Sequence, residues 1–428
     1  MDHQIKNFNT IGYTHERTTA LLIAEAGLAS IDTAQVVRRN FLFDAKKEML
    51  DVGGQTYELK KFKKIICVGF GKCAYVAVRE IQAILGNRIA CGFVLSLTEG
   101  SIEGVVCKIG THPLPSVINV TATGELMTML SGQDEETLVV CVVSGGGSSL
   151  LCYPNAMSCE VEVKILSKLM KSGADIFEIN TVRKHISGVK GGQLAKICFP
   201  ATVVSLIFSD VPGNDLSMVA SGPTVKDETT AHDAAEVLKK YNILELCELP
   251  SCKLTETPKE EKFFKKVHNV LVVSAKDALV AMKRKAEDLG YSSLVFSDKF
   301  SGDASTLFPV IAGHSKKGRV VLGAGETFVT VKGSGKGGRN QEAVLASLEK
   351  LEENQVFISI ASDGFDNTDS AGAIADSGTL AKAKRSGLNP KMYMENNDSF
   401  SFFQEIGDSV YTGKTDSNVS DLFILVSN

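Results

Sequence analysis

The 428 residues carry 46 basic and 50 acidic side chains, a formal net charge of -4, and 44% hydrophobic against 22% charged residues. A chain of this size exceeds what one growing core normally holds, so two domains are expected, and its balanced charge offers no single-sign field for nucleic acid. Ten cysteines without a Cys-x-x-Cys pair, most in apolar runs such as Ile65-Ile66-Cys67-Val68, read as reduced thiols of a cytoplasmic protein, and no apolar run is long enough to span a membrane.

After an opening helical stretch over 18–40, short β-branched runs alternate with amphipathic segments, the pattern of a largely parallel sheet and hence of the α/β class. Strands are expected at Lys64–Gly69, Gly92–Leu97, Leu138–Ser144 and Thr202–Ser209, with helices at Lys72–Leu85, Val161–Lys171 and Ala231–Tyr241. The stretch Cys247–Lys266, with two prolines and a dense charge run, reads as a linker. It sets one domain in residues 1–250 and a second in 265–428, with the opening helices able to pack on either. The second is expected to begin with strand Val270–Ser274 and helix Asp277–Leu289. Strands Leu294–Ser297 and Arg319–Gly323, helix Gln341–Leu351, and strands Val356–Ala361 and Leu422–Val426 follow.

Glycine, at 38 residues, is clustered at the ends of these strands, where α/β folds bind ligands. In VGFGKCA, Gly69 and Gly71 permit close backbone approach and Lys72 sits at a helix start, placed to meet an anion. Read strictly this is Gly-x-Gly-x-x-Ala, a weak dinucleotide fingerprint, and it lacks an acidic residue at the usual offset of about 20. In VVSGGGSSLL, Ser144, Gly145, Gly146, Gly147, Ser148 and Ser149 turn several backbone N–H groups toward one point, a nest suited to phosphate oxygens. In INTVRKHISGVKGGQLAK, Asn180-Thr181 resembles a helix N-cap, which would put Arg183 and Lys184 in the first turns, with Lys190 beside Gly191 and Gly192. His185 there reads as structural.

The loop SDVPGNDLSMVASGPT offers Asp210 and Asp215 for Mg²⁺, which takes one or two carboxylates plus nucleotide phosphates, and then Gly222. In GAGETFVTVKGSGKGGRNQE, glycines lead into a helix near Arg339, so that its N-terminus and the guanidinium can meet one anion. Glu326, Asn340 and Gln341 flank it. Finally, ASDGFDNTDSAGA supplies Asp363, Asp366 and Asp369, one of which can accept a hydroxyl proton or orient the substrate. Together these loops point to phosphoryl transfer. Gly-x-x-x-x-Gly-Lys-[Ser/Thr] occurs nowhere, which excludes an ordinary P-loop.

In this combination the chain resembles the class II glycerate kinases, whose C-terminal portion is the MOFRL domain. The matching segments, in order, are VGFGKCA, THPLPS, VVSGGGSSLL, INTVRKHISGVKGGQLA, SDVPGNDLSMVASGPT, GETFVTVKGSGKGGRNQE, SDGFDNTDSAGA and SNVSDL. The resemblance implies two α/β domains, the first Rossmann-like, a cleft between them, ATP with Mg²⁺, and D-glycerate as acceptor. By position it implies Lys72 and Arg339 as the catalytic pair. Added to the reading of the loops, it gives Asp363 as proton acceptor or substrate-orienting residue, Ser144–Ser149 with Lys190 and Gly222 on the nucleotide, and Arg183, Glu326, Asn340 and Gln341 on the substrate. The 2-hydroxyl is slightly favoured over the 3-hydroxyl, a homodimer is compatible with all of this, and a nicotinamide-dependent hydroxypyruvate reductase is the rival. The chain departs from the family at Ser116, where relatives carry an acid, at a shortened Asp366–Asp369 loop, and at Lys414 and Asp416.

Overall fold

A computed structural model describes residues 3–243 and 253–428. The chain divides into two compact units, Thr33–Val272 and Met1–Asp32 with Val273–Asn428.

In Thr33–Val272, β1 (Phe41–Asp44), β2 (Met49–Val52) and β3 (Gln55–Glu58) make a small antiparallel sheet. Strands of four residues are too short to display a period, and the sequence reading passes over them. A six-stranded sheet follows, from β4 (Lys64–Phe70), β5 (Ile89–Ser96), β6 (Val105–Ile109), β7 (Thr137–Ser144), β8 (Thr202–Phe208) and β9 (Val267–Val273), in the order β6-β5-β4-β7-β8-β9. The pairs from β6 through β8 are all parallel. The chain winds outward from β4 through β5 to β6, then returns to the other side of β4 and winds outward again. The switch point lies between β4 and β7, where such sheets open a crevice beyond the strand ends.

Helices cover the sheet, so its strands are apolar on both faces. Every residue of β7 is buried, and Val68, Phe70, Phe93, Leu95, Val139 and Val143 join one core with Leu126 and Leu130. Each such side chain contributes about 1.5–3 kcal/mol on burial. A separate cluster, including Ile165, Leu169, Ile179, Val182 and Leu238, fixes the helix Ile176–His185.

The second unit holds β10 (Ser292–Asp303), β11 (Arg319–Phe328), β12 (Gln355–Ala361), β13 (Gly372–Asp376), β14 (Ser409–Val410) and β15 (Asp421–Ser427), in the order β10-β11-β15-β12-β13-β14. Only the β10–β11 pair is parallel. The largely parallel sheet expected throughout is thus confined to the first unit. Hydrophobic runs report burial and not direction, and β15 enters between β11 and β12 from the chain end.

Two further expectations shift. The strand expected to open the second domain is β9, which closes the first sheet, and the units part at Val272. The linker expected at Cys247–Lys266 therefore does not divide them; its residues 247–252, with Cys247 and Cys252, lie outside the described residues. The opening helices separate at Asp32. The helix His15–Ser30 belongs with the C-terminal residues because Arg17, fully buried, donates from Nε to Asp376 Oδ2 (2.6 Å) and from Nη2 to Asp408 Oδ2 (2.9 Å). Among the described residues, no single helix is long and apolar enough to cross a membrane.

Candidate active site

Because β4, β7 and β8 lie side by side and parallel, the loops leaving their carboxyl ends meet at one sheet edge. These are the loops carrying Lys72, the three glycines and Asp210. Gly71 has φ +118°, and a Cβ there would stand 2.2 Å from Ser144 Oγ and 2.6 Å from Ser144 O, so only glycine lets the two turns touch. Lys72 N donates to Gly145 O (2.9 Å). A Cβ on Gly146, φ +76°, would lie 3.2 Å from Lys72 Cγ and 3.3 Å from His112 Cδ2, so the lysine stem and His112 both pack against this glycine.

The Ser144 hydroxyl faces inward. It is fully buried, donates to Phe70 O (3.3 Å) and accepts from Cys73 N (3.4 Å), tying the turns together instead of facing a ligand. Burial pushes the Cys73 thiol up to about 12, and Asp210 adds to that rise from the neighbouring loop.

The helix Gly147–Leu150 carries Ser148 and Ser149 outward from this turn. Ser149 Oγ donates to Pro113 O (2.6 Å), and Asn119, buried, donates to Ser149 O and Thr111 O (both 3.0 Å), pinning the His112 loop against the glycines. Ser116 N-caps the helix Val117–Leu130, which contains Asn119; its departure from the family acid is a change at a helix cap.

Ser148 Oγ lies 3.1 Å from Ser221 Oγ, which donates to Asn180 Oδ1 (2.7 Å); Arg183 Nη1 donates to the same oxygen at 3.4 Å. Ala220, Ser221 and Gly222 are successively left-handed, at φ +50°, +61° and +61°. Such strain costs roughly 1–3 kcal/mol per non-glycine residue. It is held by Gly191 N to Ser221 O (3.0 Å) and Gly192 N to Gly222 O (2.8 Å).

Four expectations are corrected in this unit. The helix expected to start at Asn180 starts at Ile176 behind an Asp175–Glu178 capping box, so Arg183 and Lys184 sit in its last turn, where cations suit the dipole. Lys190, expected on the nucleotide, is fully buried against Glu162 (3.3 Å). Ser144 is turned inward as described. Asp215, expected beside Asp210, is exposed and accepts from Ser217 N (2.9 Å) on the rim of a separate pocket.

In the other unit the antiparallel β15 places Asp421 opposite Gly325 of β11 and Ala361 of β12, at the ends that carry Glu326 and Asp363. Arg339, first residue of the helix Arg339–Leu345, donates from Nε to Asp421 Oδ2 (2.6 Å), from Nη2 to Asp421 Oδ1 (3.2 Å) and from Nη1 to Glu326 Oε1 (2.5 Å). Burial opposes the guanidinium charge, but Asp421 and Glu326 hold its pKa above the usual value. Burial pushes the Asp421 carboxyl up to about 7 against the pull of Arg339.

Contrary to the expectation of an anion shared with Arg339, the N-terminus of this helix is closed by a carboxylate of the chain itself. The buried Asp366 carboxylate occupies it, accepting from Asn340 N (3.0 Å) and Gln341 N (2.8 Å) and from both side-chain amides. Asn340 and Gln341, expected on the substrate, are thus fully buried supports of Asp366. Glu326 remains at the site but as a partner of Arg339. Asp363 is half-buried, its Oδ1 accepting from Phe365 N (3.1 Å).

Asp421 and His112 were not singled out by sequence reasoning, although both lie in motifs that carry the resemblance, SNVSDL and THPLPS. Their signal was position at a strand start and beside a proline turn, which acquires meaning only when the neighbouring strands are known.

Fold and site define a doubly wound α/β protein whose glycine turns meet at the switch point, joined to a second α/β unit presenting a clamped arginine. Residues 19–250 match the family described as a domain of unknown function, DUF4147, and 319–421 match the MOFRL family. The chain is similar to D-glycerate 2-kinase of Thermotoga maritima, 36% identical over 378 residues that cover 84% of this chain and 90% of the relative. It is 34% identical over 417 residues to an Agrobacterium vitis protein with a provisional hydroxypyruvate reductase name, covering 92% of this chain and 94% of that one. The crystal structure of a Thermotoga maritima glycerate kinase superimposes with a TM-score of 0.82 at 33% identity, covering 95% of this chain and 98% of the other. The chain belongs to the class II glycerate kinase, or MOFRL, family.

Proposed function

We propose that this chain transfers the γ-phosphoryl group of ATP to a hydroxyl of D-glycerate, the 2-hydroxyl by preference. The observation that carries the reading is Lys72 packed against the glycine turn at the switch point, a cation beside a helix-opening loop of small residues. The hydroxyl oxygen bonds to the γ-phosphorus as the bond from that phosphorus to the β-bridging oxygen breaks and ADP leaves. Lys72 and Arg339 neutralise charge spreading over the transferring oxygens. Gly145–Ser149 cradle phosphates, Gly222 shapes the adjoining turn, and Arg183, held by Asn180, orients the glycerate carboxylate. Asp363 takes the hydroxyl proton.

A divalent cation would share charge between the β- and γ-phosphates. Among the described residues no group of three or more His, Cys, Asp and Glu side chains is arranged for a metal. Mg²⁺ bound through substrate phosphates needs only one or two carboxylates, and Asp210, on the loop leaving β8 at the sheet edge that carries the glycine turns, is the residue that fits. Asp215, on a separate pocket, is not. Support for the 2-hydroxyl is the name of the Thermotoga relative.

The name of the Agrobacterium relative and the Gly-x-Gly-x-x-Ala turn keep a hydroxypyruvate reductase as the second reading. Purified protein with glycerate and Mg-ATP, or with a nicotinamide cofactor, separates the two: ADP release is expected, and nicotinamide turnover without ADP would overturn the proposal. Phosphorus NMR of the product identifies the hydroxyl. Lys72→Ala and Arg339→Ala should each lower turnover about 100-fold or more, the scale of one preorganised stabilising group; near wild-type kcat in either removes its assigned role.

A further inference from the structure

The helix Ile176–His185 and the segments 215–218 and 226–229 enclose a pocket of about 370 Å³ wholly within the Thr33–Val272 unit. Of its lining residues, phosphoryl transfer draws on Asn180 alone, through the bond that holds Arg183. The volume falls in the range of small-ligand sites.

Its charges argue against an anionic occupant. Two lysines, Lys184 and Lys226, face three carboxylates, Asp215, Asp227 and Glu228. Each lysine is already paired, Lys184 Nζ to Asp227 Oδ1 at 3.0 Å and Lys226 Nζ to Glu261 Oε1 at 2.5 Å. A phosphate entering here would meet net negative charge, whereas a neutral group bearing N–H and O–H donors would find acceptors. Phe177, 63% exposed, stands on one wall and Met218 lines the pocket with it. An aromatic face and a polarizable thioether suit a flat heterocycle.

The pocket also adjoins the glycine turn. Asn180 lines it and accepts from Ser221, whose hydroxyl contacts that of Ser148. The path from pocket to phosphate cradle is two hydrogen bonds long.

We propose that this pocket holds the nucleoside end of the phosphoryl donor, a purine ring against Phe177 and Met218 and sugar hydroxyls donating to Glu228 and Asp215. The assignment rests on the kinase reading and adds where the donor's neutral end lies. The triphosphate then runs past Ser221 and Ser148 toward Lys72.

The test compares wild type with Phe177→Ala and Glu228→Gln, both exposed positions, with thermal melts to confirm folding. ATP and inorganic triphosphate serve as donors with glycerate as acceptor. Losing one base-stacking side chain should raise KM for ATP roughly 10-fold in Phe177→Ala, leaving kcat and KM for glycerate within about 2-fold. The preference for ATP over inorganic triphosphate should shrink by the same factor, since the latter has no base to lose. Adenosine should compete with ATP on wild type and more weakly on the variants. An unchanged KM for ATP in both variants, on an enzyme that still releases ADP, overturns the pocket assignment and spares the kinase reading. A rise confined to KM for glycerate overturns it too, by making the pocket the acceptor site. Wild type without ADP release removes both.

Discussion

Asp421→Asn keeps the shape of the side chain and removes the charge that clamps Arg339. Wild-type Arg339 makes two bonds to Asp421, at 2.6 and 3.2 Å, and one to Glu326, which is half exposed. The amide retains one acceptor oxygen, so the variant loses about one hydrogen bond between charged groups, worth about 1.5–3 kcal/mol. If the clamp serves the transition state, that loss appears as a roughly 10- to 100-fold fall in kcat. Stability should move differently. The Asp421 carboxyl is pushed up to about 7 by burial, whereas in the unfolded chain it titrates near ~3.9. Between those values the folded protein binds more protons than the unfolded one, so wild type loses stability as pH rises through the window. Asparagine has no such titration. The variant should therefore gain in melting temperature relative to wild type between pH 5 and pH 8, while its deficit in kcat, full at pH 8, should fade at pH 5, where wild-type Asp421 is itself protonated. ADP-release kinetics and thermal melts at the two pH values measure this. An unchanged kcat at pH 8, or a melting difference that moves against the variant as pH rises, would refute the reasoning.

Lys190→Met should leave Glu162 buried without its charge partner, costing on the order of 3–5 kcal/mol in denaturant melts, and Lys190→Met with Glu162→Leu should recover most of it. A double variant that folds normally but loses ATP affinity would return Lys190 to the nucleotide. Gly71→Ala would force a methyl to within 2.2 Å of Ser144 Oγ and 2.6 Å of its carbonyl, separating the two turns; a cost of roughly 1–3 kcal/mol and a fall in kcat are expected, and a fully active, equally stable variant would count against the turn geometry.

What the residues disclosed directly was local. Strand runs such as Lys64–Gly69 and Leu138–Ser144 fall within a residue of β4 and β7, because β-branched apolar runs bounded by glycine have few other solutions in an α/β chain. The Lys72 and Gly145–Ser149 turns were legible for a related reason: glycine at a strand end is costly unless the backbone needs it. The order of the motifs along the chain was enough to recognise the family.

Tertiary structure decided which polar residues face outward. Lys190, Asn340 and Gln341 look in sequence like Arg183 or Arg339, beside glycines and among polar neighbours. Whether such a group meets ligand or core depends on a distant partner: Glu162 for Lys190, Asp366 for the two amides. Asp421 is the converse. It reads as the unremarked first residue of a final strand, and becomes the counter-charge of Arg339 only because β15 inserts antiparallel between β11 and β12. Local sequence encodes backbone conformation within a few residues, whereas electrostatic partners are set by contacts across the chain, here 82 positions between Arg339 and Asp421.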